Sequence, residues 1–294
     1  MATERTTRTY GGQSMVAPLQ RVLIFPPVEP SMAATWEEFG YHRPIDHDRA
    51  VQEHAGFRQL LVESDIEVIE GNLYFQTLQD GIFPYDTCLT TDAGMILCSM
   101  GKRLREQEIE RTEGVLKELG IPIIGRITQP GTLEGGDCCW LDERTLAVGQ
   151  GYRTNAEGIR QLTALLAPLG VNVITVHLPH WNGPGECLHL LSLISPVDER
   201  LAVVYRPLLA VPFLEELRAR KYDLIDVPDS EFESQGCNIL AVAPRRCIIL
   251  QDNAQTRQLL LDAGCQVATY TGYEISHNRG GGPTCLTRPL LRSS

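Results

Sequence analysis

A unit of 48 to 52 residues recurs along this chain and limits the folds that it can adopt. Each unit has a polar or glycine-containing turn, an apolar run, a second turn, another apolar run and then a helix. The units start at residues 86, 137, 189, 237 and 285. A repeat of this length is typical of arrays of small sheets such as propellers. We therefore predict an α/β fold built from five similar units of two strands each.

The fifth unit starts at Cys285 and contains only one strand before the sequence ends. The apolar run Arg21 to Phe25 near the start of the chain has no other partner, so it can supply the missing strand. Such pairing would close the ring and remove the exposed edge of an open array. We predict a five-bladed, pseudo-symmetric α/β propeller closed by this N-terminal strand. Residues 1–15 are predicted to be a disordered tail, and residues 16–294 a single domain.

Closure of the ring would place the equivalent residue of every unit at the central axis. These residues are Asp86, Asp137, His189, Cys237 and Cys285. Carboxylates, an imidazole and a thiol that converge on one pocket could serve nucleophilic attack on a cationic carbon. The alternative is that each residue caps its own turn, as Asp often does.

The segment that precedes Cys285 is rich in glycine. Gly280 to Gly282 permit positive φ angles and a close approach of the backbone to a ligand, and Pro283 then fixes the direction of the chain. A thiol presented in this way is typical of a nucleophile. The alternative is a small buried hydrophobe in a turn, because cysteine is among the most buried residue types.

Composition excludes several classes of function. The net charge of −11 argues against binding nucleic acid, whose phosphates require a basic surface. Nine cysteines without a C-x-x-C pair indicate reduced thiols rather than disulfides or a zinc site. Neither a membrane-spanning run nor the apolar core of a signal peptide is present, so we expect a cytoplasmic protein with no membrane partner. Residues 28–46 form a long loop, for which a lid is our hypothesis.

Three motifs carry a family resemblance. They are Leu133 to Asp137 (L-E-G-G-D), Gly185 to Leu190 (G-E-C-L-H-L) and Gly280 to Pro289 (G-G-G-P-T-C-L-T-R-P). In this order and at this spacing they resemble the guanidino-group-modifying enzymes, whose five-bladed α/β propeller is called the pentein fold. The resemblance covers residues 18–292, and it implies the same ring that the repeat predicts.

Within that superfamily the chain is most similar to the dimethylarginine dimethylaminohydrolases. The stretch Asp80 to Asp86 resembles their substrate-binding D-x-x-F-x-E-D segment, and Arg153 to Asn155 resembles their R-T-N segment. Arginine deiminases share E-G-G-D but have an Asp two residues after the histidine. This chain has Leu191 at that position, which favours the first family.

The resemblance implies three catalytic residues. Cys285 would attack the guanidinium carbon as a thiolate and form a thiouronium intermediate. His189 would protonate the departing amine and then activate water, and Glu134 would orient the imidazole. The implied reaction is hydrolysis of dimethylarginine to citrulline and dimethylamine, or of arginine to citrulline and ammonia.

The resemblance also implies a set of substrate-binding residues. Carboxylates would hold the planar guanidinium by charge-assisted hydrogen bonds, and arginines would take the substrate's α-carboxylate. The carboxylates are Asp80 and Asp86, with Phe83 and Asp137 beside them, and the arginines are Arg105 and Arg153. Asn155 is expected to cap the following helix instead. No metal or organic cofactor is implied, because the substrate is already electrophilic.

Tyr85 departs from the pattern, because the family has an acidic residue immediately before Asp86. A phenol offers an aromatic face, which attracts weakly hydrated cations. Our hypothesis is that Tyr85 contacts the substrate and favours N-methylated guanidines.

Two other functions remain open at this point. An amidinotransferase would use the same thiol and histidine but would pass the amidino group to an amine. A binding protein on the same fold, as the ribosome-associated penteins are, is a different class, and the presence of Cys285, His189 and Glu134 together argues against it. The expected partner is a small guanidino compound, and a homodimer is compatible with the resemblance.

Overall fold

The computed structural model describes residues 8–28, 36–71 and 79–293. The strands are β1 (Leu19–Ile24), β2 (Glu67–Glu70), β3 (Cys88–Thr91), β4 (Gly94–Leu97), β5 (Ile123–Arg126), β6 (Cys138–Asp142), β7 (Thr145–Gln150), β8 (Asn172–His177), β9 (Ile194–Asp198), β10 (Leu201–Val204), β11 (Asp223–Asp226), β12 (Leu240–Ala243), β13 (Arg246–Leu250), β14 (Gln266–Tyr270) and β15 (Arg288–Arg292). The α-helices are α1 (Trp36–Phe39), α2 (His47–Glu63), α3 (Gln107–Glu118), α4 (Ala156–Leu166), α5 (Val211–Ala219), α6 (Asp229–Phe232) and α7 (Ala254–Asp262).

The strands form five separate sheets of three strands each. In the sheet β3–β4–β5, the first two strands are an antiparallel hairpin, and the third returns parallel to the second after helix α3. The same arrangement recurs in the other units, since a parallel return needs a crossover connection. The prediction of two strands per unit is therefore wrong. The strand at β2 was expected from its own sequence, but the third strands of the other units were missed because they are short and largely half-exposed, as in the sequence D-L-I-D of β11.

The N-terminal strand completes the fifth unit. β1 pairs antiparallel with β15, where Val22 lies opposite Pro289, and it pairs parallel with β2 on its other side. The expected pairing of the first strand with the last unit is confirmed.

Part of the predicted disordered tail is bound to this sheet. The backbone N–H of Gly11 donates to the carbonyl of Leu290 at 2.8 Å, and that of Gly12 donates to Asp92 at 2.9 Å. The expectation of disorder does not hold for these residues, because Gly11 forms a parallel β-bridge with Leu291 inside β15. Residues 1–7 lie outside the described part of the chain.

Helices pack on the sheets through one apolar face. In α4 the buried residues Ile159, Leu162 and Leu166 recur at helical spacing and contact the cluster that covers the sheets of the first two units. Asn155 caps this helix, as expected, by accepting from the N–H of Gly158 at 2.8 Å. Truncation of a fully buried side chain such as Leu162 to alanine would cost about 2–5 kcal/mol.

Polar side chains near the start of each unit bind the backbone of the next unit. Each uses an oxygen atom to accept a hydrogen bond from an N–H in the following unit. The pairs are Asp86 with Gly136 (2.8 Å), Asp137 with Leu190 (2.9 Å), Ser195 with Ile239 (3.1 Å) and Asn238 with Thr284 (3.1 Å). Arg288 of the fifth unit donates to the carbonyl of Tyr85 in the first at 2.9 Å. These contacts bring the starts of successive units together.

None of the helices formed by the described residues is both long and apolar enough to span a bilayer. Of the predicted lid, residues 29–35 lie outside the described part. Helix α1 follows, and the carbonyl of its last residue, Phe39, accepts from the ammonium of Lys102 at 2.6 Å.

Candidate active site

His189 and Glu134 are joined by a short hydrogen bond at the meeting point of the second and third units. Nε2 of His189 lies 2.7 Å from Oε2 of Glu134, and both side chains are buried. Because an ionised carboxylate can only accept, Nε2 carries the hydrogen. The other ring nitrogen, Nδ1, lies 3.8 Å from Oδ1 of Asp86. Burial alone would lower the pKa of His189, but the negative groups around it, Cys187, Asp86 and Asp137, raise that pKa well above its usual value.

Glu134 is held by more than the histidine. Its carboxylate accepts from the guanidinium of Arg153 at 2.9 and 3.1 Å, and from the backbone N–H groups of Gly101 and Lys102 at 3.0 and 3.3 Å. Burial favours the neutral acid, but Arg153 and His189 outweigh it and hold the pKa of Glu134 far below its usual value. The residue is therefore a fixed negative charge that orients the imidazole.

Cys285 lies in the loop before β15 and is partly exposed. Asn238 donates from Nδ2 to its Sγ at 3.2 Å. Burial and the negative charge of Asp86 raise the pKa of the thiol to about 11, while His189 and the hydrogen bond from Asn238 act in the opposite direction. With these surroundings Cys285 is a neutral thiol near neutral pH.

The three glycines before Cys285 serve different purposes. Only Gly280 has a positive φ, of 81°. A Cβ atom at Gly281 would lie 2.4 Å from the ring of Phe83, and one at Gly282 would lie 2.4 Å from the side chain of Asn238. The loop is therefore glycine-rich mainly because it presses against its neighbours.

Asp80 is surrounded by cations. Arg279 binds it with two hydrogen bonds, of 2.9 and 3.1 Å, Lys102 lies at 3.3 Å, and Arg105 lies at 3.9 Å. Burial would raise the pKa of this carboxyl, but these three cations lower it. Arg279, which stands six residues before Cys285, could not be predicted from the sequence because its partner is 199 positions away. In this structure the guanidinium of Arg279 is bound to Asp80, the carboxylate that we expected to bind the guanidinium of the substrate.

Arg105 is more deeply buried than its expected role requires. Its side chain is 3% exposed and is bound by Glu108 at 2.8 and 2.9 Å and by Asp86 at 2.6 Å. It also donates to the carbonyl of Phe83 at 3.1 Å. Its contacts here position Asp86, whereas Arg153 is 8% exposed and binds Glu134 through one terminal nitrogen.

Two residues expected at the axis make contacts other than the expected ones. Cys237 is buried in an apolar cluster with Val203 and Ile249, and its neighbour Asn238 reaches the nucleophile instead. The expectation for Cys237 is wrong because the turn of the fourth unit is displaced by one residue. Asp137 is fully buried, and its Oδ1 accepts from the N–H of Leu190. It caps the turn of the next unit rather than its own.

The side chain of Tyr85 points away from the carboxylates that we expected to bind substrate. Its side chain is 4% exposed, its hydroxyl donates to the sulfur of Met15, and the guanidinium of Arg288 lies 3.9 Å from its ring centre. The hypothesis that Tyr85 selects substrate is wrong in this structure, because its side chain packs into the core while that of Asp86 faces His189.

Asp86, Glu134 and His189 offer three ligand atoms within 4.8 Å of one another, a spacing that a metal ion could use. The two carboxylates are already paired with Arg105 and Arg153. The negative charge of this cluster is thus compensated by the chain's own cations.

The family model described as "N,N dimethylarginine dimethylhydrolase, eukaryotic" matches residues 32–292. The chain belongs to the dimethylarginine dimethylaminohydrolase family. The dimethylarginine dimethylaminohydrolase from Streptomyces coelicolor is 26% identical to this chain over 220 residues, which are 75% of this chain and 78% of that protein. An arginine deiminase from Listeria welshimeri is 27% identical over 263 residues, 75% of this chain and 64% of that protein. This dimethylarginine dimethylaminohydrolase family member is a hydrolase that acts on carbon–nitrogen bonds of linear amidines.

The fold is also similar to that of a solved enzyme that is named for a different activity. An amidinotransferase from Microseira wollei, of the saxitoxin biosynthetic pathway, has a TM-score of 0.81 with this family member at 17% identity, and the match covers 98% of each chain. At this identity the likeness shows the fold.

Proposed function

We propose that this protein hydrolyses the guanidino carbon–nitrogen bond of an arginine derivative, either dimethylarginine or arginine, through a thiouronium intermediate on Cys285. The observation that carries the proposal is the array of Arg153, Glu134 and His189 beside Asp86 and Cys285. A charged imidazole fixed by a carboxylate, next to a thiol and a second carboxylate, is suited to a cationic carbon electrophile.

Substrate binding would activate the nucleophile. Asp86 raises the pKa of Cys285. A guanidinium bound at Asp86 would neutralise this effect and add a positive charge near the sulfur, so the thiolate would become the favoured form. The substrate cation would thereby promote the ionisation that its own conversion requires.

The chemical steps follow from the protonation state of His189. The Cys285 thiolate forms a bond to the guanidinium carbon, and the bond from that carbon to the departing nitrogen breaks as imidazolium His189 gives the amine a proton. The neutral imidazole then takes a proton from water, whose oxygen attacks the thiouronium carbon. The carbon–sulfur bond breaks, the proton of the added hydroxyl passes to solvent, and the products are a ureido compound and the regenerated thiolate.

Arg153 is proposed as a ligand for the substrate's α-carboxylate. It binds Glu134 through one terminal nitrogen and keeps donors for a second acid. Arg105 is proposed to act through Asp86, and Asp80 is proposed to receive substrate only when Arg279 moves. Phe83 and Asp137 would shape the site by packing on the Gly281 loop and by fixing the turn at Leu190.

We also propose that the five sheets are blades of a closed ring. The hydrogen bonds between successive units, including the one from Arg288 to Tyr85, support this arrangement.

The second candidate is amidino transfer, which the likeness to the amidinotransferase favours. It differs only in the last step, where an amine rather than water attacks the thiouronium carbon. An assay with dimethylarginine, arginine and agmatine, with and without added glycine as amine acceptor, separates the two. We expect a ureido product without the acceptor and none from Cys285→Ser. A guanidino product that forms only with the acceptor would establish transfer, and no turnover of any of these compounds would contradict the proposed substrate class.

A further inference from the structure

A second thiol touches the catalytic histidine. Sγ of Cys187 lies 3.5 Å from Nδ1 and 3.8 Å from Nε2 of His189. All nine cysteines lie in the described residues, and seven of them are buried. Cys187 and Cys285 are the two that are partly exposed. Both accessible thiols of the chain are therefore in the same site.

The contacts around Cys187 have the arrangement of an activated nucleophile. Its sulfur lies beside the imidazole of His189, slightly nearer to Nδ1 than to Nε2, and Nε2 is bound to Glu134, so thiol, imidazole and carboxylate are in contact. Arg153 adds a positive charge to the same group. Burial opposes ionisation of Cys187, but Arg153 and His189 outweigh it and lower the pKa of the thiol. The pKa of Cys285 is shifted in the opposite direction.

We propose that Cys187 is a second reactive thiol. When no substrate is bound, peroxides and neutral haloacetamides modify it before they modify Cys285. Oxidation of Cys187 then stops the reaction by blocking proton transfer at His189. The reactivity depends only on the contacts described above, whereas the inhibition rests on the proposed function of His189.

The oxidation step balances with peroxide as the oxidant. The Cys187 thiolate attacks one peroxide oxygen, the oxygen–oxygen bond breaks, and two electrons pass from sulfur to the peroxide. The products are a sulfenic acid and hydroxide, which takes a proton from the imidazolium to form water. The added oxygen lies beside Nδ1 of His189, where the departing amine and the attacking water must exchange protons. A thiol reductant restores the sulfur through a mixed disulfide and releases water.

Mass spectrometry of peptides tests the reactivity without any turnover. Four proteins are treated with limiting iodoacetamide or hydrogen peroxide at pH 7 without substrate. They are the native protein, Cys187→Ser, Cys285→Ser and the buried-thiol control Cys98→Ser. In the native protein we expect Cys187 to be modified at least about tenfold faster than Cys285, because a larger fraction of it is thiolate. The rate at Cys187 should be the same in Cys285→Ser and Cys98→Ser as in the native protein. Faster modification of Cys285, or a Cys187 that reacts no faster than an unactivated thiol, would overturn the proposal.

His189→Gln is the matched test of activation, since glutamine keeps a polar side chain but carries no positive charge. We expect it to slow modification of Cys187, and an unchanged rate would show that the contact does not activate the thiol.

The enzymatic activity after treatment with peroxide tests whether oxidation of Cys187 inhibits the reaction. Peroxide should abolish the activity of the native protein, and dithiothreitol should restore it. The activity of Cys187→Ser should be the same before and after peroxide treatment. Equal fractional losses of activity in the two proteins would refute the inhibitory role. If no variant turns over any guanidine, the proposed function fails while the labelling result still decides the reactivity of Cys187.

Discussion

Oε2 of Glu134 lies 2.7 Å from Nε2 of His189, and the same carboxylate is bound by Arg153 and by two backbone N–H groups. A group with so many donors cannot turn away from the histidine. The imidazole is therefore held with Nδ1 toward Asp86 and Cys187, which is the side where proton exchange must occur.

Glu134→Gln should lower kcat about 10²-fold or more, because the amide keeps the shape but no longer stabilises the imidazolium. The half-buried Glu113, which pairs with Lys117 and Arg126, provides the control variant Glu113→Gln. Steady-state kinetics on whichever guanidine is turned over fastest checks this. A Glu134 variant with the kinetics of the control would show that the contact is not used in catalysis.

Arg153→Ala should affect two quantities. It removes the proposed ligand of the α-carboxylate, so KM for arginine-type substrates should rise, whereas agmatine, which lacks that group, should keep its KM. It also removes a partner of Glu134, so kcat should fall for both compounds. Parallel titrations with arginine and agmatine measure the difference. Equal changes in KM for the two compounds would exclude the carboxylate role.

Tyr85→Phe should leave the ratio of kcat/KM for dimethylarginine over arginine unchanged, because the tyrosine packs against Met15 and Arg288 in the core. Tyr85→Ala should instead lower the free energy of unfolding by about 3–5 kcal/mol, as expected for a large buried side chain. Denaturant unfolding and the kinetic ratio are measured on the same preparations. A several-fold change of the ratio in the stable Tyr85→Phe protein would restore a role in selecting substrate.

Asp137→Asn should stabilise the fold only at pH values above the pKa of Asp137 in the folded protein, about 6. Burial raises the pKa of Asp137 from 3.8 to about 6, so the folded state holds a proton that the unfolded state releases between these values. Stability attributable to this group is present below pH 4 and is lost as the pH rises through 6. The asparagine variant should match the native protein at pH 4 and exceed it at pH 8 by up to about 3 kcal/mol.

Urea unfolding at both pH values checks this prediction, with Asp48→Asn on the exposed start of α2 as the control. An effect of Asp137→Asn that has the same size at both pH values would mean that ionisation of the carboxyl is not the cause.

The repeat predicts the α/β units and the pairing of β1 with β15, because apolar runs and turns are local signals. It does not predict the third strands, such as β11 with the sequence D-L-I-D, whose place is determined by pairing with β10. The motifs predict Glu134 and His189, which the structure joins. They cannot predict that Asn238 replaces Cys237 at the site, or that Arg279 binds Asp80, since a one-residue shift in a turn and a long-range ion pair leave no local signal.

The most direct test of the account is to identify the sulfur that carries the intermediate. His189→Ala and the double variant His189→Ala/Cys285→Ser are mixed with substrate, quenched in acid and examined by intact-mass and peptide mass spectrometry. We expect a substrate adduct that persists in the single variant, because nothing remains to activate water, and that maps to the peptide with Cys285. The double variant should carry none. An adduct on Cys187, or turnover by the native protein with no adduct on Cys285 in any variant, would contradict the proposed mechanism.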